Sequence, residues 1–467
     1  MASLHQMKPV SRRTWLTGCG YAAAFVGTGL LAACGGPSQP AAIVATSAPA
    51  TATVAPASSA AKAAVTLAVW DWANTWKSLL VALQDQFGQL GGPKAAVEIV
   101  PDYFKKVQAA IAGGSGPDVY RTDGPNSWSL YKRGAGMALD ALVARDAQAG
   151  ADLKAMLPVS VQTHTYQNKL YGIPFGYTVV MTLYNRNVLQ AANLTPPAEL
   201  GTNWNWTTAR EYGARLTNRN GDQASVYGFW VNQSWETGWL AFVYANGGRL
   251  LDSSYRKAEV DTPGTIAALQ HLVDALNKDR VSPTSADLKQ EDATKRFIRG
   301  NIAIGTFGSW EISTSSLIGQ AKELPFDLAP IPYAPTGQSG SDSNFSAEVL
   351  NPNSKQQDAA WQWLRFIASQ PAQLTIGHAE FLPARLDAAE TSYFAPTLAP
   401  EHRSLLRDIA KLTLPQPSPD TVQFDDLMGK INKHVADAFS QQQTVEAALR
   451  SAQEEAAGAL AAGASGG

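Results

Sequence analysis

The chain has 467 residues, with 37 Lys or Arg against 39 Asp or Glu and only 16% charged residues, giving a formal charge of −2. Nothing here is basic enough for a nucleic-acid partner, and a 45% hydrophobic content over this length supplies core for two domains of ordinary size. The six histidines form no metal-ligand spacing and there are only two cysteines, so neither a metal nor another cofactor is expected.

Lys8, Arg12 and Arg13 precede the apolar run 21–33, which is shorter than the roughly 20 apolar residues of a spanning helix. Residues 1–33 therefore read as an export signal that is removed. Ser11-Arg12-Arg13-Thr14-Trp15-Leu16 resembles a twin-arginine signal, with Trp15 in place of the usual Phe, and Leu31-Ala32-Ala33-Cys34 resembles a bacterial lipobox. The second resemblance implies that Cys34 carries a lipid and becomes the first residue of the mature chain. Cys19 leaves with the signal, so no disulfide is expected within one mature chain. Removal takes away three cations and no acid, moving the formal charge from −2 to −5. Residues 35–64 are almost entirely Ala, Pro, Ser, Thr, Gly, Val and Gln, with Lys62 the only charge, so 34–64 reads as a lipidated cysteine and flexible tether.

Folded sequence is expected from Val65. Val65–Trp70 has strand character, and Trp76, Leu79, Leu80, Leu83, Phe87 and Leu90 recur at helical spacing until Gly91-Gly92-Pro93 stops them. Ala96–Val100 reads as a strand, Tyr103–Ala112 as a helix and Asp118–Tyr120 as a third strand, a βαβ alternation. Thr178–Tyr184 is expected as a strand, Thr208–Glu211 as a capping box opening a helix, and Thr262-Pro263 as the start of another carrying Ile266, Leu269, Val273 and Leu276. Ile302–Phe307 reads as a buried strand and Asp358–Ser369 as a helix with Trp361, Leu364 and Ile367 inward. Such alternation points to α/β architecture, whose ligand sites lie beyond the carboxyl ends of strands.

Several segments carry a family likeness. Leu170-Tyr171-Gly172-Ile173-Pro174, Leu183–Leu189 and Asn205–Glu211 resemble landmarks of the family 1 extracellular solute-binding proteins of bacterial ABC importers. So do Phe297–Ile304 running on to Gly308-Ser309-Trp310, then Asn351–Ile367, and Phe381–Arg385. The resemblance spans essentially 65–460 and implies a two-lobed periplasmic-binding-protein-like α/β fold, with a ligand cleft and a hinge crossed several times. Lobe one is placed at 65–176 and 335–380, lobe two at 177–334 and 381–467. It further implies a binder rather than an enzyme, working as an extracytoplasmic, lipid-anchored monomer that delivers carbohydrate to an ABC permease.

A pyranose offers an apolar face and a rim of hydroxyls, so its site needs flat aromatics and carboxylate acceptors. Trp70-Asp71-Trp72 lies where the first strand ends and Arg121-Thr122-Asp123 where the third ends. Trp70 reads as core, which leaves Asp71 and Trp72 as ligand candidates. Asp123 is read either as a ligand contact or as a turn cap before Gly124-Pro125. The family pattern carries over to Trp310 as a stacking floor, and to Phe175 and Tyr177 after Tyr-Gly-Ile-Pro. Trp230, Trp235, Glu236 and Trp239 form an aromatic cluster; Trp235 and Trp239 stand at i, i+4 on an expected helix, so at least one should be packing. Trp361 and Trp363 read as structural, and Arg385 as either a cleft or a surface residue. Asn218–Asp222 looks oxygen-rich but lacks the later Glu of a calcium loop, so it reads as a turn.

Enzyme chemistry finds little footing. Gly113–Pro117 misses a nucleophile elbow, and no phosphate-cradling Gly-x-x-x-x-Gly-Lys occurs. A secreted glycosidase needs only two carboxylates and stays open. The other alternative is a binder of a polyol phosphate or phosphodiester, which requires a cationic fork from Arg121 and Arg385.

Overall fold

The computed structural model describes residues 66–71, 76–221, 223–313, 316–321, 324–379, 381–394, 400–411, 413–415 and 418–465. The signal, Cys34, the tether and Trp72 lie outside the described residues. In chain order the strands are β1 (Thr66–Asp71), β2 (Lys94–Ile99), β3 (Val119–Asp123), β4 (Thr165–Tyr166), β5 (Lys169–Leu170), β6 (Gly172–Tyr177) and β7 (Val180–Asn185). They continue with β8 (Asn218–Asn220), β9 (Gln223–Trp230), β10 (Ile302–Gly308), β11 (Phe326–Ala329), β12 (Ser341–Ser343), β13 (Phe345–Leu350), β14 (Leu382–Pro383) and β15 (Thr413–Pro415).

Two larger sheets organise most of these strands into two lobes, with β4-β5 and β12-β15 as separate two-stranded sheets. The first runs β14-β6-β13-β3-β1-β2, the second β11-β7-β10-β9-β8. In the first, β1 pairs in parallel with both β2 and β3, while β13 is antiparallel to β3 and β6. Helix α1 (Lys77–Gln89) makes the parallel β1–β2 crossover possible, burying Leu79, Leu80, Leu83 and Phe87 as its spacing predicts. Leu90 departs from that expectation: it is 65% exposed, because the helix ends at Gln89 and Gly91 turns the chain away at φ +82°. Helix α2 (Tyr103–Ala112) then leads into β3, every residue of which is buried.

The second sheet is mixed as well, with β10 parallel to β9 and antiparallel to β7. All seven residues of β10 are buried, matching the apolar run in the sequence. The helix expected at Thr208 opens earlier, at Trp206, because Asn205 caps it by accepting the Thr208 N–H at 3.1 Å. Thr262 caps the helix Pro263–Asn277 as anticipated.

The chain passes from first sheet to second between Tyr177 and Val180, returns between Ala329 and Phe345, and leaves again after Pro383. That last departure lies beyond the expected exit at 380, because Leu382 and Pro383 pair with Tyr177 and Gly176 on the edge of the first sheet. The helices Phe424–Phe439 and Val445–Ser465 bury Phe424, Leu427, Met428, Leu449 and Ala456 in the same core as Trp204, Trp239 and Leu269 of lobe two. A separate core under the first sheet gathers Leu67, Leu83, Trp361, Trp363, Ile376 and Phe381, so Trp361 and Trp363 are structural. No helix among the described residues is long and apolar enough to cross a membrane.

Candidate functional site at the mouth between the sheets

Parallel strands place their carboxyl ends together, which is why β1 and β3 deliver Asp71 and Asp123 to one edge of the first sheet. On the second sheet β9 and β10 do the same for the segments that follow Trp230 and Gly308. The two edges meet through helix α3 (Gly124–Lys132). Its Asn126, fully buried, donates to Asp123 Oδ2 at 3.2 Å, while Asn126 Oδ1 accepts the Phe424 N–H at 3.0 Å. Asp123 sits at the N-cap position without capping; its carboxyl turns to Asn126 instead.

That geometry brings acidic groups of both lobes together. Burial, and secondarily the Asp425 carboxyl, pushes Asp123 up to about 7. Asp425 in turn is raised by burial, against a hydrogen bond from Asn126 that favours its charged form. Glu236, exposed at its surface but crowded by protein, is raised by desolvation and by Asp425. Next to it, the half-buried ring of Trp235 meets Phe424 edge-on, with centroids 5.6 Å apart. Trp235, Glu236, Asp123, Asn126 and Asp425 therefore belong to one neighbourhood.

The turn carrying Trp235 is not the regular helix expected from sequence. Residues 235–239 form a π-type turn broken at Gly238 (φ −133°, ψ −107°), where an added Cβ would lie 1.9 Å from the Asn232 carbonyl oxygen. Asn232 fastens the turn to β10, donating to Thr237 Oγ1 at 2.7 Å and to the Thr306 carbonyl at 3.2 Å. Trp239 is the packing partner, fully buried with its indole N–H on Asn432 at 3.1 Å.

Trp310 follows β10 in a short 3-10 turn and is half-buried against the core of the first lobe. Gly308 leaves room for it: a Cβ there would come within 2.3 Å of the indole. Ser309 holds this turn against the crossing strand, its N–H on the Val179 carbonyl at 2.8 Å and its Oγ accepting the Val179 N–H at 3.2 Å. Trp310 thus packs across from the second sheet to the first lobe.

Other expected site residues have structural partners. Asp71 is 1% exposed and bound to Arg121 at 2.8 Å, below the mouth rather than in it. Tyr177 is buried and stacked on Phe345 at 5.4 Å. Arg385 pairs with Asp152 at 2.5 Å and with Asp387 at 2.8 Å, pinning its loop to lobe one. Both arginines of an expected phosphate fork are therefore committed to carboxylates. Among the described residues no group of His, Cys, Asp and Glu is arranged to hold a metal. Asn126 and Asp425 escaped the sequence reading; a buried Asn inside a helix and an acid in a helix's first turn are ordinary features, and their meeting spans almost 300 positions.

Comparison with known proteins identifies the family and the fold. Residues 73–374 match the family model described as bacterial extracellular solute-binding protein. Curated relatives include a binding protein of Brucella abortus (strain 2308), 23% identical over 231 residues, which cover 48% of this chain and 53% of the relative. The chain thus spans about half the length of the curated relatives it matches. Among solved structures, an ABC substrate-binding protein of Listeria monocytogenes in complex with cycloalternan superposes with TM-score 0.73 at 18% identity, covering 84% of this chain and 97% of that one. The GacH receptor of Streptomyces glaucescens, solved unliganded and with acarbose, gives 0.70 at 21% identity over 85% and 98%. Maltose-bound MalE3 of T. maritima gives 0.69 at 21% over 84% and 98%. These likenesses define the two-lobed fold.

Proposed function

We infer that this chain, which belongs to the bacterial extracellular solute-binding protein family, captures a carbohydrate between its lobes and delivers it to an ABC import permease. The observation that carries this reading is the mouth itself: the Trp235 ring stands beside carboxyl and amide groups contributed by both lobes. An aromatic plate matches the apolar face of a sugar ring, and carboxyl and amide oxygens match its hydroxyls. Asp123 and Glu236 are the proposed polar contacts, with Asn126 positioning Asp123; Trp235, Trp310 and Trp72 are the proposed stacking rings. Cycloalternan, acarbose and maltose in the structural neighbours support the same ligand class. A phosphorylated ligand is disfavoured, since Arg121 and Arg385 are paired and the mouth gathers carboxyls. No catalytic step is proposed.

Titration with maltotriose and a panel of neutral oligosaccharides tests this by calorimetry and thermal shift. Saturation at about 100 Kd should stabilise the protein by roughly 2.7 kcal/mol, and Trp235→Ala should weaken the binding by about ten-fold or more. Trp310→Ala should also lower the melting temperature of the ligand-free protein, because that ring packs on a core. A response to glycerol phosphate and to no neutral sugar would reverse the assignment of ligand class. For the membrane, we propose a lipid on Cys34 as the anchor, on the lipobox-like sequence before it. Cys34→Ser should then release exported protein from the membrane fraction; wild-type protein recovered without detergent would refute the anchor.

A further inference from the structure

The lobes are joined at a second place, one helical turn along α3 from Asp123. The segment 418–424 lies along α3: Ser418 Oγ accepts the Trp128 N–H at 3.1 Å, and Phe424 N–H reaches Asn126. It presents Asp420, whose side chain is 5% exposed, between two donors. From lobe one, Tyr166 Oη donates to Asp420 Oδ2 at 3.0 Å; from lobe two, Arg256 Nη2 reaches the same oxygen at 2.7 Å. Alongside, Tyr255 of lobe two packs on Trp128 of lobe one, with ring centroids 5.6 Å apart.

The lobe-two side of this contact is built to hold its shape. Asp252 accepts the backbone N–H groups of Arg256 at 2.9 Å and Lys257 at 3.0 Å, and its carbonyl accepts Tyr255 N–H at 2.9 Å. The turn holds Tyr255 at φ +57°, a left-handed conformation that a bulky side chain adopts only when its surroundings impose it. Here the turn aims its ring at lobe one and its guanidinium at Asp420, which meets Tyr166 of lobe one.

We propose that the turn 252–257 is a latch: Tyr255 packs on Trp128 across the lobes, and Arg256 steadies Asp420 of its own lobe to accept the Tyr166 hydroxyl of lobe one, so that the two lobes are held together without touching the ligand. Its role is to set how much of the ligand-free population is closed, and so the apparent affinity, since affinity scales with the fraction of binding-competent protein. This rests on closure between lobes and not on the carbohydrate reading. The Arg256 side chain is 61% exposed, so its removal leaves the cores untouched.

Small-angle scattering of the ligand-free full chain tests the latch, comparing wild type with Arg256→Ala, Arg256→Lys and Tyr255→Asn; Asn tolerates the left-handed turn. The alanine and asparagine variants should show a larger radius of gyration at unchanged circular dichroism, with the lysine variant between them and wild type. Amide hydrogen exchange should rise along α3 while the core strands keep their protection. With maltotriose as probe, the two stronger variants should dissociate it several-fold faster. Superimposable scattering and exchange for wild type and Arg256→Ala would overturn the latch, whatever Tyr255→Asn does to folding. Because the scattering is read without ligand, failure of the sugar panel leaves this outcome standing, and the reverse also holds.

Discussion

Arg121, Asp71 and Glu348 form a buried set beneath the mouth. Glu348 lies directly across the β3–β13 pair from Arg121, and Arg121 binds Asp71 at 2.8 Å under the ring of Phe175. Arg121 binds Asp71, both oxygens of Glu348 are buried without a hydrogen-bond partner among the described residues, and the charges balance if Glu348 keeps its proton. Burial, with Asp71 adding and Arg121 opposing, pushes Glu348 up to about 8, so that proton rests on Glu348 at neutral pH. A carboxyl raised on folding holds its proton more tightly in the folded state, so stability is lost as pH rises through the folded value. His164 and His271, both lowered to about 4 chiefly by burial, act oppositely, but only as pH falls below about 6.5. Between pH 6.5 and 8 the carboxyls decide: unfolding free energy should fall by on the order of 1 kcal/mol. Glu348→Gln should flatten that slope in urea titrations across the window, and an undiminished slope would place the titration elsewhere.

At the scale of elements, the π-type turn at 235–239 governs the mouth. An alanine at 238 would drive Cβ into the Asn232 carbonyl at 1.9 Å, so the turn must reopen or shift. Gly238→Ala should cost roughly 1–3 kcal/mol and move Trp235, lowering the melting temperature and abolishing the thermal response to maltotriose together. An unaltered response would detach this turn from the site. The sequence was enough to expect at least one of Trp235 and Trp239 in packing, because i, i+4 spacing sets both on one face, and Trp239 fills that role. It did not reveal the break, because nothing in Trp-Glu-Thr-Gly-Trp says that Asn232 folds back over Gly238. Strands such as β1 and β10, and helices such as α1 and α2, were legible from local apolar period alone. The Asn126 to Phe424 contact was not, because no local period encodes a meeting between a helix after β3 and one near the chain's end. Asp71 and Arg385 misled for a related reason: a polar residue at a strand end looks the same whether it meets ligand or a buried counter-ion.

For the whole molecule, the decisive fact is that carboxyls of opposite lobes meet at the mouth: Asp123 from the first, Asp425 and Glu236 from the second. Part of the rise in Asp123 comes from its own burial, but the part due to Asp425 exists only while the lobes are together. The juxtaposed state therefore binds protons more tightly than the separated one, and lowering the pH favours it by linkage. With Asp123 near 7, the change falls between about pH 5.5 and 8, within reach of the stable protein. Ligand-free protein should scatter as a more compact particle at pH 5.5 than at pH 8. Asp425→Asn removes the facing charge, so its radius of gyration should stay near the compact value across the same range. Salt adds a second check, because buried pairs are screened less than exposed ones and the trend should persist at 0.5 M NaCl. If wild type and Asp425→Asn open equally as the pH rises, the repulsion between these carboxyls does not govern closure.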